Sequence, residues 1–133
     1  MAFRCEFDQI NKILLVRVDG QLTDELLKEV YWAIRRYSVL TDARAGIFDV
    51  TEVSEFSVSS EYIRRLAQSE PAMLDADKKP QIAVVPQTDA FGLARMFQLA
   101  SERTRPLFSI VRTLDEALRL LEAQSPKFRP IEF

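Results

Sequence analysis

Short apolar runs along the chain alternate with stretches in which apolar residues recur every three or four positions. Residues 3–7 alternate apolar with polar, and residues 12–18 read Lys-Ile-Leu-Leu-Val-Arg-Val. Only the turn Asp8-Gln9-Ile10-Asn11 lies between them, so the pattern predicts two strands joined as a hairpin. Asp19-Gly20 ends the second strand. From Thr23 the period changes. Leu26, Leu27, Val30, Ala33, Ile34 and Tyr37 mark one face of a helix of about four turns. Thr23 is a good N-cap, Asp24 and Glu25 suit the positive end of the helix dipole, and Arg35 and Arg36 suit its negative end.

Residues 45–50 then read as a short apolar strand, and 51–56 as a polar loop. A second helix is predicted over 57–69, with Ser59, Tyr62, Ile63, Leu66 and Ala67 on one face, followed by a loop over 70–80 punctuated by Pro71 and Pro80. Residues 81–85 are nearly all apolar, as in a strand buried on both faces. Pro86 closes that strand, Thr88 or Asp89 caps a third helix over 90–103, and 107–111 form the last strand. Thr113 and Glu116 make a capping box for a fourth helix, whose buried stripe is Leu114, Ala117, Leu118 and Leu121. The predicted order is β-β-α-β-α-β-α-β-α. Strands alternating with helices imply right-handed crossovers, hence a mixed, mainly parallel sheet packed with helices, with the first strand antiparallel to its partner. One α/β domain is expected over 1–124, and an irregular tail with Pro126 and Pro130 over 125–133.

Composition narrows the function more than the fold. With 47% apolar and 29% charged residues, the 133-residue chain can bury a core without a disulfide or metal. The net charge of −2 is spread evenly, with no basic stripe for nucleic acid. Cys5 is the only cysteine, no apolar run approaches membrane-spanning length, and residues 1–8 lack the features of a signal peptide, so a cytoplasmic protein is expected. Histidine is absent. That removes Ser-His-Asp and Cys-His catalysis, His-ligated metals and the usual general base near neutral pH.

In sheets of this kind, ligands and partners meet the carboxyl ends of the strands. Those ends are 19–23, 51–59, 86–89 and 112–113, rich in Ser, Thr, Asp and Glu. No Gly-rich phosphate cradle is present and no cofactor is implied. Asp49, Thr51, Thr88 and Asp89 are the candidate residues of this edge. Asp49, Glu52, Glu55 and Asp89 also bring carboxylates there, a residue type able to do acid–base work or hold Mg²⁺, although nothing in the spacing demands it. Ser57 and Ser59 are candidate phospho-acceptors, since a phosphate is favoured at a helix N-terminus; serines also open helices simply because they cap them. The third helix carries Ala90, Leu93, Ala94, Phe97 and Ala100 on an inner face. Phe91, Met96 and Leu99 are left over, with Arg95 among them, and these four are candidates for a protein interface or a small apolar pocket.

The element order, a strand ending in Asp49 and the Ser-rich stretch Ser57-Val58-Ser59-Ser60 together resemble the STAS domain, the fold of anti-sigma factor antagonists. Laid on the family's Asp-Ser-Ser-Gly motif, Ser57 falls at the Asp, Val58 at the first Ser, Ser59 at the phosphorylated Ser and Ser60 at the Gly; only Ser59 matches. Phe91-Gly92-Leu93-Ala94-Arg95-Met96-Phe97 and Asp115-Glu116-Ala117-Leu118 are similar to bacterial STAS-like (SpoIIAA-like) proteins of unestablished role. The resemblance implies a non-enzymatic regulatory or protein-interaction domain, phosphorylation-responsive through Ser59 or Ser57, with a protein partner and self-association through the leftover helix face. The alternative is a carrier of a small apolar or acyl ligand, favoured by nine phenylalanines and by the outline likeness of STAS-like folds to lipid-binding Sec14-type domains. That alternative requires a cavity under the third helix. A carboxylate-based enzyme using Asp49 and Asp89 is a third expectation.

Overall fold

In the computed structural model, which describes residues 2–131, the hairpin forms as the alternation requires. Strand β1 (Phe3–Asp8) pairs antiparallel with β2 (Ile13–Thr23), from Phe3 opposite Val18 to Asp8 opposite Ile13. The chain continues through α1 (Asp24–Thr41), β3 (Ala45–Ser57), α2 (Ser60–Gln68), β4 (Gln81–Val84), α3 (Thr88–Ala100), β5 (Phe108–Val111), α4 (Leu114–Leu120) and β6 (Arg129–Pro130). The sheet order is β5-β4-β3-β2-β1-β6, parallel from β2 to β5 and antiparallel at β1 and β6. This is the mixed, mainly parallel α/β architecture that the element order implied.

The period of two divides the sheet into two cores. Leu14, Val16 and Val18 of β2 face the layer of α1, α2 and α3, with Leu26, Val30, Ile63 and Ala90 among its buried residues. Ile13 and Leu15 face the other side, where Ala117 and Leu121 of the α4 region cover them and Phe128 packs alongside.

Four stretches differ from expectation. Residues 51–56 are not a loop: β3 runs on to Ser57, paired with a β2 that extends to Thr23. The two strands project beyond β4 as a ribbon, with register shifts between Arg17 and Asp19 and between Gly20 and Gln21. Gly20, at φ 71°, supplies the left-handed conformation a bulge needs, and Leu22 and Val53 turn inward to the helices. Consequently α2 starts at Ser60, three residues later than expected. Helix α1 continues to Thr41 and ends on Asp42 in the left-handed conformation, whose N–H reaches the carbonyls of Ser38 and Val39. The third helix starts earlier and ends at Ala100, because Ser101 turns the chain and accepts from the N–H groups of Thr104 and Arg105. In the expected irregular tail, Arg129 and Pro130 pair with Phe7 and Glu6; its last two residues lie outside the described ones.

At the hairpin end of the sheet, buried Asp8 accepts from the Asn11 side chain and the N–H of Ile10. The same Asn11 amide donates to the Gln124 carbonyl (3.1 Å) and accepts from its N–H (2.9 Å), tying the turn to the chain that leaves α4.

Candidate functional site

An apolar cavity of about 180 Å³ lies between the sheet and its three-helix face. Phe48 and Val50 of β3, with Ala83 of β4 and Val85 just after it, form its floor. Leu27, Val30 and Ile34 of α1 close one side, Ile63 and Leu66 of α2 another. Helix α3 contributes Ala90, Leu93, Ala94 and Phe97, four of the five inner-face positions read from the sequence; the fifth, Ala100, is exposed. The space exists because the side chains meeting there from β4 and α3 are small: Ala83, Ala90 and Ala94 end at Cβ. An engineered cavity of ~150 Å³ lined by Leu, Ile and Phe stays dry and admits benzene, so this space suits a ligand of about that size.

Polar groups reach the cavity at one end, the amino ends of β4 and β5. They belong to Gln81, Tyr31 and Arg105. Arg105 is 5% exposed, although it lies in the connection between α3 and β5. Its Nη1 donates to the Ala67 carbonyl (3.1 Å) and to Thr104 Oγ1 (3.2 Å), and its Nη2 to the Leu66 carbonyl (3.2 Å). The guanidinium thus closes the carboxyl end of α2, where the helix dipole favours a cation. Its carbon sits 4.9 Å from the centre of the Phe97 ring, which itself meets Phe108 edge-on at 5.2 Å. Burial pulls its pKa below the ordinary value and the neighbouring Tyr31 pushes it partly back; a guanidinium stays charged throughout the physiological range.

At the opposite edge, the carboxyl ends of the strands, the fold brings the candidate residues into two separate groups. Asp49 is buried and accepts from the N–H and hydroxyl of Thr51, anchoring the start of the β3 extension. Thr88 and Asp89 sit exposed in the first turn of α3. No hydrogen bond joins the two groups among the described residues. What links the elements is Gln87, which the sequence reading passed over: its Nε2 donates to the carbonyls of Val50 (2.9 Å) and Val53 (3.2 Å). Among the described residues no set of three or more acidic or cysteine side chains is gathered as a metal site.

Ser59 is the N-cap of α2. Its Oγ accepts from the N–H of Tyr62 (3.1 Å) and donates to Asp24 Oδ2 (3.0 Å), while its own N–H donates to Asp24 Oδ1 (3.0 Å). The residue therefore clasps the start of α2 to the start of α1. Ser57 is exposed and accepts from Gln21 Nε2 at 2.9 Å. Replacing Ser59 by Ala is expected to lower stability by ~1–2 kcal/mol, measured by urea unfolding, since both the cap and the clasp are lost.

The four residues read as an interface or a pocket, Phe91, Arg95, Met96 and Leu99, do not line this cavity; Phe91 and Met96 pack half-buried against the core, and Arg95 and Leu99 are exposed. Phe91 lies under the Arg112 guanidinium at 4.2 Å, Arg95 donates to Gln98 Oε1 at 2.7 Å, Met96 is half-buried and Leu99 is 56% exposed.

Half-buried Cys5 is a further departure from ordinary chemistry: burial pushes its thiol up to about 11. A thiol reagent at pH 8 is expected to label the folded protein far more slowly than the urea-unfolded protein, because thiolate is the reacting form. The sign for stability follows. The unfolded chain loses this proton first, so stability falls as pH rises from 9.0 towards about 11.

No protein-family model matches the chain, and no curated protein matches it in sequence. Solved structures do. The unphosphorylated form of the anti-sigma factor antagonist SpoIIAA superimposes with a TM-score of 0.58 over 92% of this chain and 100% of that one, at 14% identity. The chain has the SpoIIAA, or STAS, fold. The Bacillus cell fate determinant SpoIIAA in its phosphorylated form gives a TM-score of 0.52 over 90% of this chain and 99% of that one, at 19% identity. At such identities the agreement with SpoIIAA lies in the backbone: the order of elements and the layering around one sheet. No helix among the described residues is long and apolar enough to cross a membrane.

Proposed function

We propose that the chain is a non-enzymatic STAS-type regulatory domain whose input is a small apolar or acyl ligand held between the sheet and α1 to α3. The cavity carries this reading: about 180 Å³ of apolar space beneath α3, in a domain without histidine and without gathered carboxylates among the described residues. The space is half open to the surface and has room for about six waters by liquid volume while offering them few polar partners. Regulation is supported by the fold, since the solved structures it superimposes on are those of an anti-sigma factor antagonist. A ligand under α3 would act on a protein partner through the outer side of that helix, where Leu99 is exposed and Met96 half-buried, because the same helix carries both faces.

The test is a heteronuclear NMR titration with benzene and with hexanol. Saturable shifts are expected at the amides of Ala83, Ala94 and Phe97. Their absence at ligand saturation, with the spectrum otherwise unchanged, removes the reading.

A phosphorylation-responsive version is supported by the exposure of Ser57 and Ser59 at the start of α2. At Ser59 a phosphate would meet the Asp24 carboxylate, which opposes it; at Ser57 the neighbour is the neutral Gln21 amide. Phosphopeptide mass spectrometry of protein from its own cells decides between them, and an unmodified 57–60 segment eliminates both.

A further inference from the structure

The cavity wall holds a cation that no carboxylate among the described residues pairs with. Arg4, Arg17 and Arg35 each pair with a glutamate. Arg105 is buried and pairs with no carboxylate among the described residues, in a chain that has 20 acidic residues to 18 basic ones. Its hydrogen bonds go to two backbone carbonyls and one hydroxyl, all neutral. They occupy both N–H groups of Nη1 and one of Nη2, leaving Nε–H and the second N–H of Nη2 without a protein acceptor among the described residues. A buried charge is normally paired, because low-dielectric surroundings leave it poorly solvated. The side chain lines the cavity, and the guanidinium fork matches a carboxylate in shape.

Resting on the reading proposed above, we infer that the ligand is a small apolar monocarboxylate: its carboxylate pairs with Arg105 and its hydrocarbon body lies along the apolar floor towards Val85. Lengths agree. From Gln81, beside the polar end, to Val85 a strand spans about 13 Å. Beyond the polar end the walls are hydrocarbon, from Phe48 through Ala83 and Ala94 to Val50 and Val85, with no second charged group among the described residues, which fits a ligand charged at one end only. Nucleotides and sugars are excluded by the same walls, which offer no partners for their many polar atoms.

The experiment is calorimetry of the wild-type protein with hexanoate and with hexanol at neutral pH, then with the Arg105→Gln variant. Hexanoate is expected to bind wild type at least about tenfold more tightly than hexanol, the scale of one charge-assisted hydrogen-bonded pair. In Arg105→Gln that preference should vanish while hexanol affinity stays within about threefold, a change too small to reflect a lost pair. If wild type binds hexanol as well as it binds hexanoate, Arg105 is only the cap of α2 and the inference fails, while the apolar-ligand reading stands. If neither binds, both fail. Should Arg105→Gln not fold, the acid–alcohol comparison in the wild type decides alone, supported by Arg105→Lys, which keeps the charge and should keep part of the preference.

Discussion

An Ala94→Phe variant is expected to lose ligand binding by at least about a hundredfold, ~2.7 kcal/mol, while unfolding at a higher urea concentration than wild type. Ala94 lines the cavity from α3, so the new ring is delivered into the space where the ligand would lie. A space of about 180 Å³ admits a phenyl group, given that ~150 Å³ is enough for benzene. Filling apolar space returns part of the ~24 cal/mol per Å³ that a cavity costs, and a net gain of ~1–2 kcal/mol is expected after some strain. Titration with benzene, hexanol and hexanoate measures the first effect and urea unfolding the second. A stabilised variant that still binds all three would place the ligand elsewhere. Leu99→Ala is the matched control: it removes an apolar side chain from the exposed side of the same helix, and both quantities should stay near wild type.

Much of this fold was legible because its signals are local. Thr113 caps α4 as read, its Oγ1 accepting from the Glu116 N–H; Glu116 Oε1 accepts from the Thr113 hydroxyl rather than from its backbone N–H. The Thr23 cap and the alternation in β1 and β2 are equally local. The extension of β3 was not legible. Glu52, Ser54 and Glu55 look like a loop, and only the pairing with 19–23, made possible by Gly20, turns them into a strand edge.

The cavity was half legible. Four of the five inner-face positions read on α3 line the cavity, while Ala100 is exposed, but a cavity is missing volume. It arises from Ala83, Ala90 and Ala94 converging from β4 and α3, a coincidence visible only after folding. The sequence signal that could have raised it was the run of alanines on faces expected to be core. Arg105 gave no signal either. It stands in an unremarkable polar stretch, and its partners Leu66 and Ala67 precede it by 39 and 38 residues. Arg95, by contrast, lies among apolar residues in sequence but faces solvent in space.

The largest loss of stability is expected where no function is assigned. Asn11→Ala should cost ~2–4 kcal/mol, because it removes both links to Gln124 and leaves the buried Asp8 carboxylate with the Ile10 N–H alone. Asn11→Asp separates this explanation from a simple loss of packing. The new side chain has nearly the same shape and can still accept from the Gln124 N–H, but it sets a second carboxylate against Asp8. Two such groups at hydrogen-bond distance share one proton, so one of them is held protonated to unusually high pH in the folded state. The unfolded chain has let that proton go by about pH 4–5, so the native state binds the extra proton and stability rises as pH falls from 7 towards 5. Urea unfolding at pH 7 and pH 5 should therefore show Asn11→Asp recovering in acid while Asn11→Ala does not. Little loss in Asn11→Asp at either pH, beside the full loss in Asn11→Ala, would mean that the Asp8–Asn11–Gln124 link acts through shape rather than through hydrogen bonding.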